Sequence, residues 1–242
     1  MVTLMYHGII SRGCFMSPPN RSVGAVLYDV PIENFRAQMK WLKESDKKAI
    51  LTFDDGEMNN YKYVLPIIKE FGFTAYFFII VQKIGKDGYM GWQELKSLSQ
   101  EGMIIGSHGL SHGTLTNIKN DLILEELKLS KHALESHLGI PINAFSVPHG
   151  FYNDKIIQMA YKVGYTQIFI SEKLIGSKTD CTPRIAVKKD WSLKRFQQAL
   201  ENHVPLMEII GNIFKDLAKI VFRESGYNFL RLNLIKIFKW KF

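Results

Sequence analysis

The chain has 242 residues, a length that suits one barrel or one domain with an extension. Apolar residues make up 46% and charged residues 22%, close to the globular average, which excludes a disordered, collagenous or low-complexity chain. Two cysteines, Cys14 and Cys181, cannot staple a chain of this length and match no CxxC metal spacing. The fold must therefore depend on a hydrophobic core.

The net charge is +8, and the excess of basic residues is concentrated at the end of the chain. Residues 204–242 carry seven Lys and Arg against three Asp and Glu. No RNP, zinc-finger or helix-turn-helix signature accompanies them, so we predict no nucleic-acid partner.

Strand and helix patterns alternate along most of the chain. Short apolar runs predict seven strands, at 2–6, 49–53, 74–81, 103–106, 144–147, 167–170 and 184–187. Between them, periodic segments predict helices at 32–44, 60–71 and 92–101, a long helix capped by Asn120 or Asp121, and helices beginning at Asn153 and Ser192. Repeated strand-then-helix units imply parallel strands. We predict a small (β/α) barrel, with a doubly wound open sheet as the alternative.

Polar residues follow four of these strands. Because the carboxyl ends of parallel strands meet at one rim, reactive groups are expected to gather there. The residues concerned are His7, Asp54, Asp55, Ser107, His108, Pro148, His149 and Gly150, with His112 four residues after His108.

Two carboxylates and two imidazoles are the most informative members of this set. Asp54 and Asp55 are adjacent, so their side chains diverge, and one can bind a metal while the other acts on a water. His108 and His112 can converge on one cation. An Asp-His-His set with open positions suits a catalytic Zn²⁺ or a similar divalent ion.

Three segments resemble a known family. Residues 51–56 read LTFDDG, residues 107–112 read SHGLSH and residues 73–78 read FTAYFF. In their order along the chain, with 73–78 between the other two, they resemble signatures of the polysaccharide deacetylases, the NodB-homology domain or carbohydrate esterase family 4, over about residues 1–200. The resemblance implies a distorted (β/α)7 barrel and metal-dependent removal of an N-acetyl group from an amino-sugar glycan. By position, it implies that Asp54 is the general base and that Asp55, His108 and His112 hold a divalent metal, with Zn²⁺ as the expected ion.

The chain departs from the family at the third signature, usually R-x-P-x-G. Residues 146–150 read SVPHG and lack the arginine that orients the catalytic aspartate. Arg184, at the start of the last predicted strand, is the candidate substitute. Asp190, followed by Trp191, resembles the fourth signature, whose aspartate orients the acid histidine.

Two histidines are candidates for the general acid. Residues 4–7 read LMYH and resemble the opening element of a permuted branch typified by poly-N-acetylglucosamine deacetylases, in which the N-terminal strand supplies the acid. Residues 200–203 read LENH and match the usual late L-x-x-H segment, but they end a predicted helix. We predict His7, which a strand end places at the rim, with His203 as the alternative.

Four residues are predicted to meet the substrate. Pro148 and Gly150 shape a loop that exposes the backbone N–H of His149, a donor suited to an oxyanion. Tyr152 is a candidate for stacking on a sugar ring.

We divide the chain into a barrel, residues 1–203, and a basic, apolar helical extension, residues 204–242. Two alternatives stay open for the extension: packing on the barrel or in a homodimer, and peripheral contact with an anionic membrane. The first residues lack the basic and apolar regions of a signal peptide, which predicts a cytoplasmic protein, peripheral to the membrane under the second alternative.

The leading functional prediction is metal-dependent N-deacetylation of an amino-sugar glycan. One alternative is a deformylase or another C–N amide hydrolase acting on a lipid-linked sugar. The other is a catalytically inactive barrel that binds glycan, which the missing arginine favours.

Overall fold

A computed structural model describes residues 1–11, 17–19, 24–171 and 180–201 of the chain. The extension at 204–242, the alternative acid His203, the predicted boundary after it and Cys14 lie outside these ranges. In the described part of the chain, no helix has both the length and the apolar character needed to cross a bilayer.

A sheet of eight parallel strand segments forms the centre of the fold. The strands of the described chain are β1 Val2–Tyr6, β2 Ile9–Ile10, β3 Val30–Pro31, β4 Ala49–Phe53, β5 Ala75–Ile79, β6 Ile104–Ser107, β7 Ala144–Ser146, β8 Gln167–Ile170, β9 Thr182–Pro183 and β10 Ile185–Ala186. Their order in the sheet is β10-β1-β4-β5-β6-β7-β8-β9, while β2 and β3 pair separately. Parallel pairing places the carboxyl ends of the central strands at one rim.

The two shortest strands nearly close this sheet into a barrel. β9 pairs with β8, and β10 pairs with β1, although only Arg184 separates them in the chain. One chain segment therefore joins the two ends of the sheet. Counted as one split strand, β9 and β10 bring the barrel to seven strands, and the predicted barrel is confirmed.

Six α-helices surround the barrel in the described residues: α1 Ile32–Glu44, α2 Leu65–Phe71, α3 Trp92–Gln100, α4 Asn120–Leu138, α5 Asp154–Val163 and α6 Leu193–Leu200. Their apolar faces share one buried cluster with alternate residues of the strands, such as Phe53, Phe77 and Phe145. Burying a side chain of this size contributes about 1.5–3 kcal/mol, so this cluster is the main source of stability.

The opposite faces of the same strands form a smaller inner cluster of Phe78, Ala144 and Phe169, against which Tyr76 packs. A Cβ on Gly106 would lie 2.6 Å from the Phe78 ring, so glycine there makes room for that ring. The inner space is narrow, and the polar side chains near its mouth are held close together.

Local departures from the predicted elements have local causes. The predicted helix 60–71 is divided into a π-helical turn, Asn60–Val64, and α2, whose second residue is Pro66. Proline has no N–H for the regular ladder, which accounts for the change at that point. The long helix is capped by Lys119 and not by Asn120 or Asp121, and no side chain bonds to its first turn. The Asn153 and Ser192 caps are confirmed, each accepting a backbone N–H.

Candidate active site

Asp54 leaves the end of β4 and forms a buried ion pair with Arg184. Arg184 Nη1 lies 2.7 Å from Asp54 Oδ1, and Nη2 lies 2.8 Å from Oδ2, a bidentate arrangement. The guanidinium also donates to Thr52 Oγ1 at 3.1 Å and to Ser146 Oγ at 2.8 Å. Arg184, the candidate substitute for the missing arginine, therefore places its guanidinium against Asp54, the predicted base.

This pair sets the charge state of Asp54. Burial alone would raise the pKa of the carboxyl, but the charges of Arg184 and His108 and the arginine hydrogen bonds lower it well below its usual range. Asp54 is therefore ionised at neutral pH and fixed in orientation.

Asp55, His108 and His112 bring three metal-ligand atoms within 4.8 Å of one another. Asp55 Oδ1 lies 3.6 Å from His108 Nε2 and 3.5 Å from His112 Nε2, and the two Nε2 atoms are 3.2 Å apart. Asp55 Oδ1 is buried, and none of the described residues donates a hydrogen bond to it. An unpaired buried carboxylate oxygen beside two imidazole nitrogens is costly without a cation, so the three residues fit a divalent ion of the zinc type.

The protonation of these ligands also suits a metal. His108 Nδ1 lies 2.8 Å from the backbone oxygen of Ser146, and because a carbonyl only accepts, Nδ1 carries the proton and Nε2 is free to bind. Burial lowers the pKa of His108 and brings that of His112 to about 4, although the charges of Asp54 and Asp55 act to raise both. Both imidazoles are therefore neutral near pH 7, as metal binding requires.

Backbone strain is concentrated at the same place. Among the described residues, the non-glycine positions with positive φ are Asp55 at 74°, His112 at 67° and His149 at 57°. Each such conformation costs about 1–3 kcal/mol and persists only where neighbouring structure holds it. All three border the candidate site, which marks it as the strained part of the fold.

His7 follows β1 and faces the same rim. Asn60 Nδ2 donates to the backbone oxygen of His7 at 2.8 Å, and the His7 ring lies against Tyr28 with centroids 5.1 Å apart. His7 Nδ1 is buried and has no hydrogen-bond partner in the part of the chain that the structure describes. Burial raises the pKa of Asp54 and of Asp55, and His7 is one of the neighbouring groups that lower it.

Residues 148–150 form a short 3-10 turn after β7, in which Pro148 and Gly150 are buried and the His149 side chain is exposed. His149 Nε2 donates to the backbone oxygen of His112 at 3.0 Å, and the two rings are 4.3 Å apart. The turn therefore lies beside the ligand cluster, as predicted from the strand ends. The backbone N–H of His149 as an oxyanion donor stays a prediction.

Two sequence candidates are not brought to this cluster. Tyr152 is 6% exposed and belongs to the main hydrophobic cluster, so its ring is core and offers no exposed stacking face. Asp190 is exposed in the turn before α6, and among the described residues no hydrogen bond or ion pair joins it to His7.

Sequence reasoning missed Thr52 and Ser146 as partners of the Asp54–Arg184 pair. Both side chains are fully buried. Thr52 lies two residues before Asp54 on β4, so the two-residue period of a strand points both side chains to one face. A polar residue such as Thr52, two positions before the candidate base at the end of a strand, was the sequence pattern that could have indicated this contact.

The described structure is a parallel barrel whose rim carries Asp54, paired with Arg184, and Asp55 beside two imidazoles. A family model described as polysaccharide deacetylase matches residues 42–168, more than half of the chain. The chain belongs to the polysaccharide deacetylase family. The matched range contains both aspartates and both candidate ligand histidines, whereas His7 and Arg184 lie outside it.

Individual relatives agree with this assignment. The chain is 30% identical over 196 residues to the peptidoglycan-N-acetylmuramic acid deacetylase PdaA of Bacillus subtilis, covering 78% of this chain and 71% of that protein. It is 25% identical over 201 residues to a poly-β-1,6-N-acetyl-D-glucosamine N-deacetylase of Staphylococcus aureus, covering 67% and 69%. A further curated relative from B. subtilis, YxkH, is 28% identical over 183 residues, and this chain spans 61% of its length.

A solved structure supports the same fold. The Streptococcus pyogenes deacetylase PplD, determined in complex with acetate, superposes with a TM-score of 0.70 at 24% identity. The superposition covers 83% of this chain and 97% of that one.

Proposed function

We propose that this chain is a metal-dependent N-deacetylase acting on an N-acetylated amino-sugar glycan. The observation that carries the proposal is the convergence of the Asp55, His108 and His112 ligand atoms beside the separately held carboxylate of Asp54. Membership of the polysaccharide deacetylase family and the substrates for which PdaA and the S. aureus enzyme are named support the same substrate class.

In this proposal Asp55, His108 and His112 hold the divalent ion, with zinc as the expected metal. When bound, such an ion supplies Lewis-acid polarisation of an amide carbonyl and makes water more acidic. The protein keeps both imidazoles neutral by burial and fixes the His108 tautomer through the Ser146 carbonyl. The metal ligands are therefore preorganised by the barrel itself.

Asp54 acts as the general base in the proposed mechanism. Arg184 keeps its carboxylate ionised and fixes the orientation of both oxygens, and Ser146 Oγ lies 3.4 Å from Oδ2. A carboxylate whose pKa lies so far below 7 is a weak base, so it is suited to accept a proton from a water that is already more acidic than bulk water. Asp54 then accepts the proton of the attacking water.

His7 acts as the general acid and donates a proton to the departing amine, which is otherwise a poor leaving group. Its backbone is held by Asn60, whose amide also donates to Asn59 Oδ1 at 2.9 Å. The backbone N–H of His149 is the proposed donor to the oxyanion.

The Arg184–Asp54 pair bears on the inactive-barrel alternative. The absence of an arginine from residues 146–150 was the reason to consider a dead glycan-binding barrel. Arg184 supplies a bidentate guanidinium from the position between β9 and β10, which supports an active enzyme over that alternative. A hydrolase for a different amide has the same chemistry and is separated by substrate profiling.

Acetate release from N-acetylglucosamine oligomers tests the proposal. We expect release by the purified chain, its loss with a chelator and its return with added Zn²⁺. Asp54→Asn is the inactive reference. His132→Ala, which removes an exposed imidazole of α4, is the matched control and is expected to keep activity. Acetate release that survives complete metal removal would contradict the metal-dependent mechanism.

A further inference from the structure

The short segment 109–112 joins the two candidate ligand histidines and forms no helix. Its carbonyl oxygens are held from one side by the chain after β5. Val81 N donates to the Gly109 oxygen at 3.2 Å, and Gln82 N donates to the Leu110 oxygen at 2.9 Å.

The N–H groups of this segment are held from the other side, mainly by one carboxylate. Glu126 Oε2 accepts the backbone N–H groups of Leu110 and Ser111, both at 3.0 Å. Glu126 is half-buried on α4, and Ser107 Oγ accepts the N–H of Gly109 at 3.1 Å. Between the two imidazoles, these three N–H groups are all satisfied by side chains.

This restraint matters because the segment holds conformations that do not persist unaided. His112 has φ 67°, which is unfavourable for a residue with a side chain. Gly109 has φ 83°, and a Cβ there would lie 3.6 Å from Glu126 Oε2, so the segment lies close against the carboxylate.

We propose that Glu126 is a positioning residue for the metal site. By holding the Leu110 and Ser111 amides, its carboxylate sets the separation and orientation of the His108 and His112 rings. The inference rests on the proposed function, because it concerns the same metal. Groups that orient metal ligands from outside the coordination sphere commonly affect affinity strongly.

Zinc affinity, measured by competition with a chromophoric chelator, tests this role. We expect Glu126→Ala to bind Zn²⁺ about 10–100-fold more weakly than the wild-type chain. Glu126→Gln should retain most of the affinity, because a single amide oxygen can accept the two N–H groups that one carboxylate oxygen accepts now. Glu125→Ala removes the exposed neighbour on the same helix and should leave the affinity unchanged.

The outcomes separate this inference from the proposed function. The melting temperature of the metal-free protein is measured for each variant. If Glu126→Ala does not fold, Glu126→Met, which keeps the side-chain bulk without an acceptor, replaces it in the comparison with Glu126→Gln, and the same loss of affinity is expected. Wild-type zinc affinity in Glu126→Ala, or equal losses in the Ala and Gln variants, would overturn the positioning role. Zinc binding by the wild type without acetate release would overturn the proposed function and leave the positioning role standing. A wild-type chain that binds no zinc would overturn both.

Discussion

Replacement of Arg184 by methionine is the sharpest test of how the barrel holds its central carboxylate. The Arg184 side chain is fully buried, and that of Asp54 is 3% exposed. Methionine keeps an unbranched apolar side chain, shorter than that of arginine, and has no hydrogen-bond donor. Arg184→Met therefore leaves the Asp54 carboxylate buried. Among the described residues, Ser146 Oγ at 3.4 Å is then its remaining side-chain hydrogen-bond partner.

The size of the effect follows from this burial. Removing one partner of a buried ion pair costs about 3–5 kcal/mol, because the other charge stays in a poorly solvating site. Arg184→Met combined with Asp54→Asn should recover much of the loss, since no charge is then left behind. The matched control is Arg36→Met, which breaks a pair with Glu70 whose side chains are about half exposed. That surface pair should contribute at most about 1 kcal/mol.

The pH dependence of this cost has a definite sign. The native pKa of Asp54 lies below its ordinary value of 3.8, so the pair stabilises the fold above that pH and the contribution is lost as the pH falls. In Arg184→Met, burial without the arginine raises the pKa of Asp54 instead. The difference in stability between wild type and variant should therefore be largest near neutral pH and narrow toward pH 4.

Urea denaturation followed by circular dichroism, with chelator present, measures these free energies of unfolding at both pH values. A loss in Arg184→Met no greater than that in Arg36→Met would refute the buried-pair argument. A difference that grows on acidification would refute the assigned pKa direction.

Three further outcomes are expected. Asp54→Asn should abolish acetate release while zinc stays bound, whereas His108→Ala should lose both activity and zinc. Elemental analysis and an acetate assay measure the two properties. Activity retained in Asp54→Asn would rule out Asp54 as the base. His7→Ala should lower the rate about 10²–10⁴-fold with metal content unchanged, and an unchanged rate would favour another acid. Gly106→Ala should destabilise the fold by about 1–3 kcal/mol, because its Cβ meets the Phe78 ring at 2.6 Å; a neutral result by urea denaturation would show that this ring can move.

The sequence by itself determined most of the local elements and pointed to the residues of the candidate metal site. β1, β4 and β8 have the predicted bounds, and the Asn153 and Ser192 caps are in place, because apolar periodicity and capping act over a few residues. The aspartate pair at 54–55 and the H-x3-H spacing could also be recognised, because each lies within a few consecutive residues. The rule that parallel strands share a rim then predicted that these residues meet.

The tertiary structure decided how distant groups complete the site, including Arg184, which the sequence offered only as a candidate. Arg184 and Asp54 are 130 residues apart in the chain, and their contact depends on the split strand that closes the barrel. Glu126 lies on α4 and meets the loop between the ligand histidines only after that helix has packed on the barrel. Tyr152 was expected at the substrate and is core instead, because the packing of neighbouring elements decides which face of an aromatic ring is covered. No pattern in the amino-acid order specifies such contacts, since they arise from closure of the sheet and the packing of helices around it.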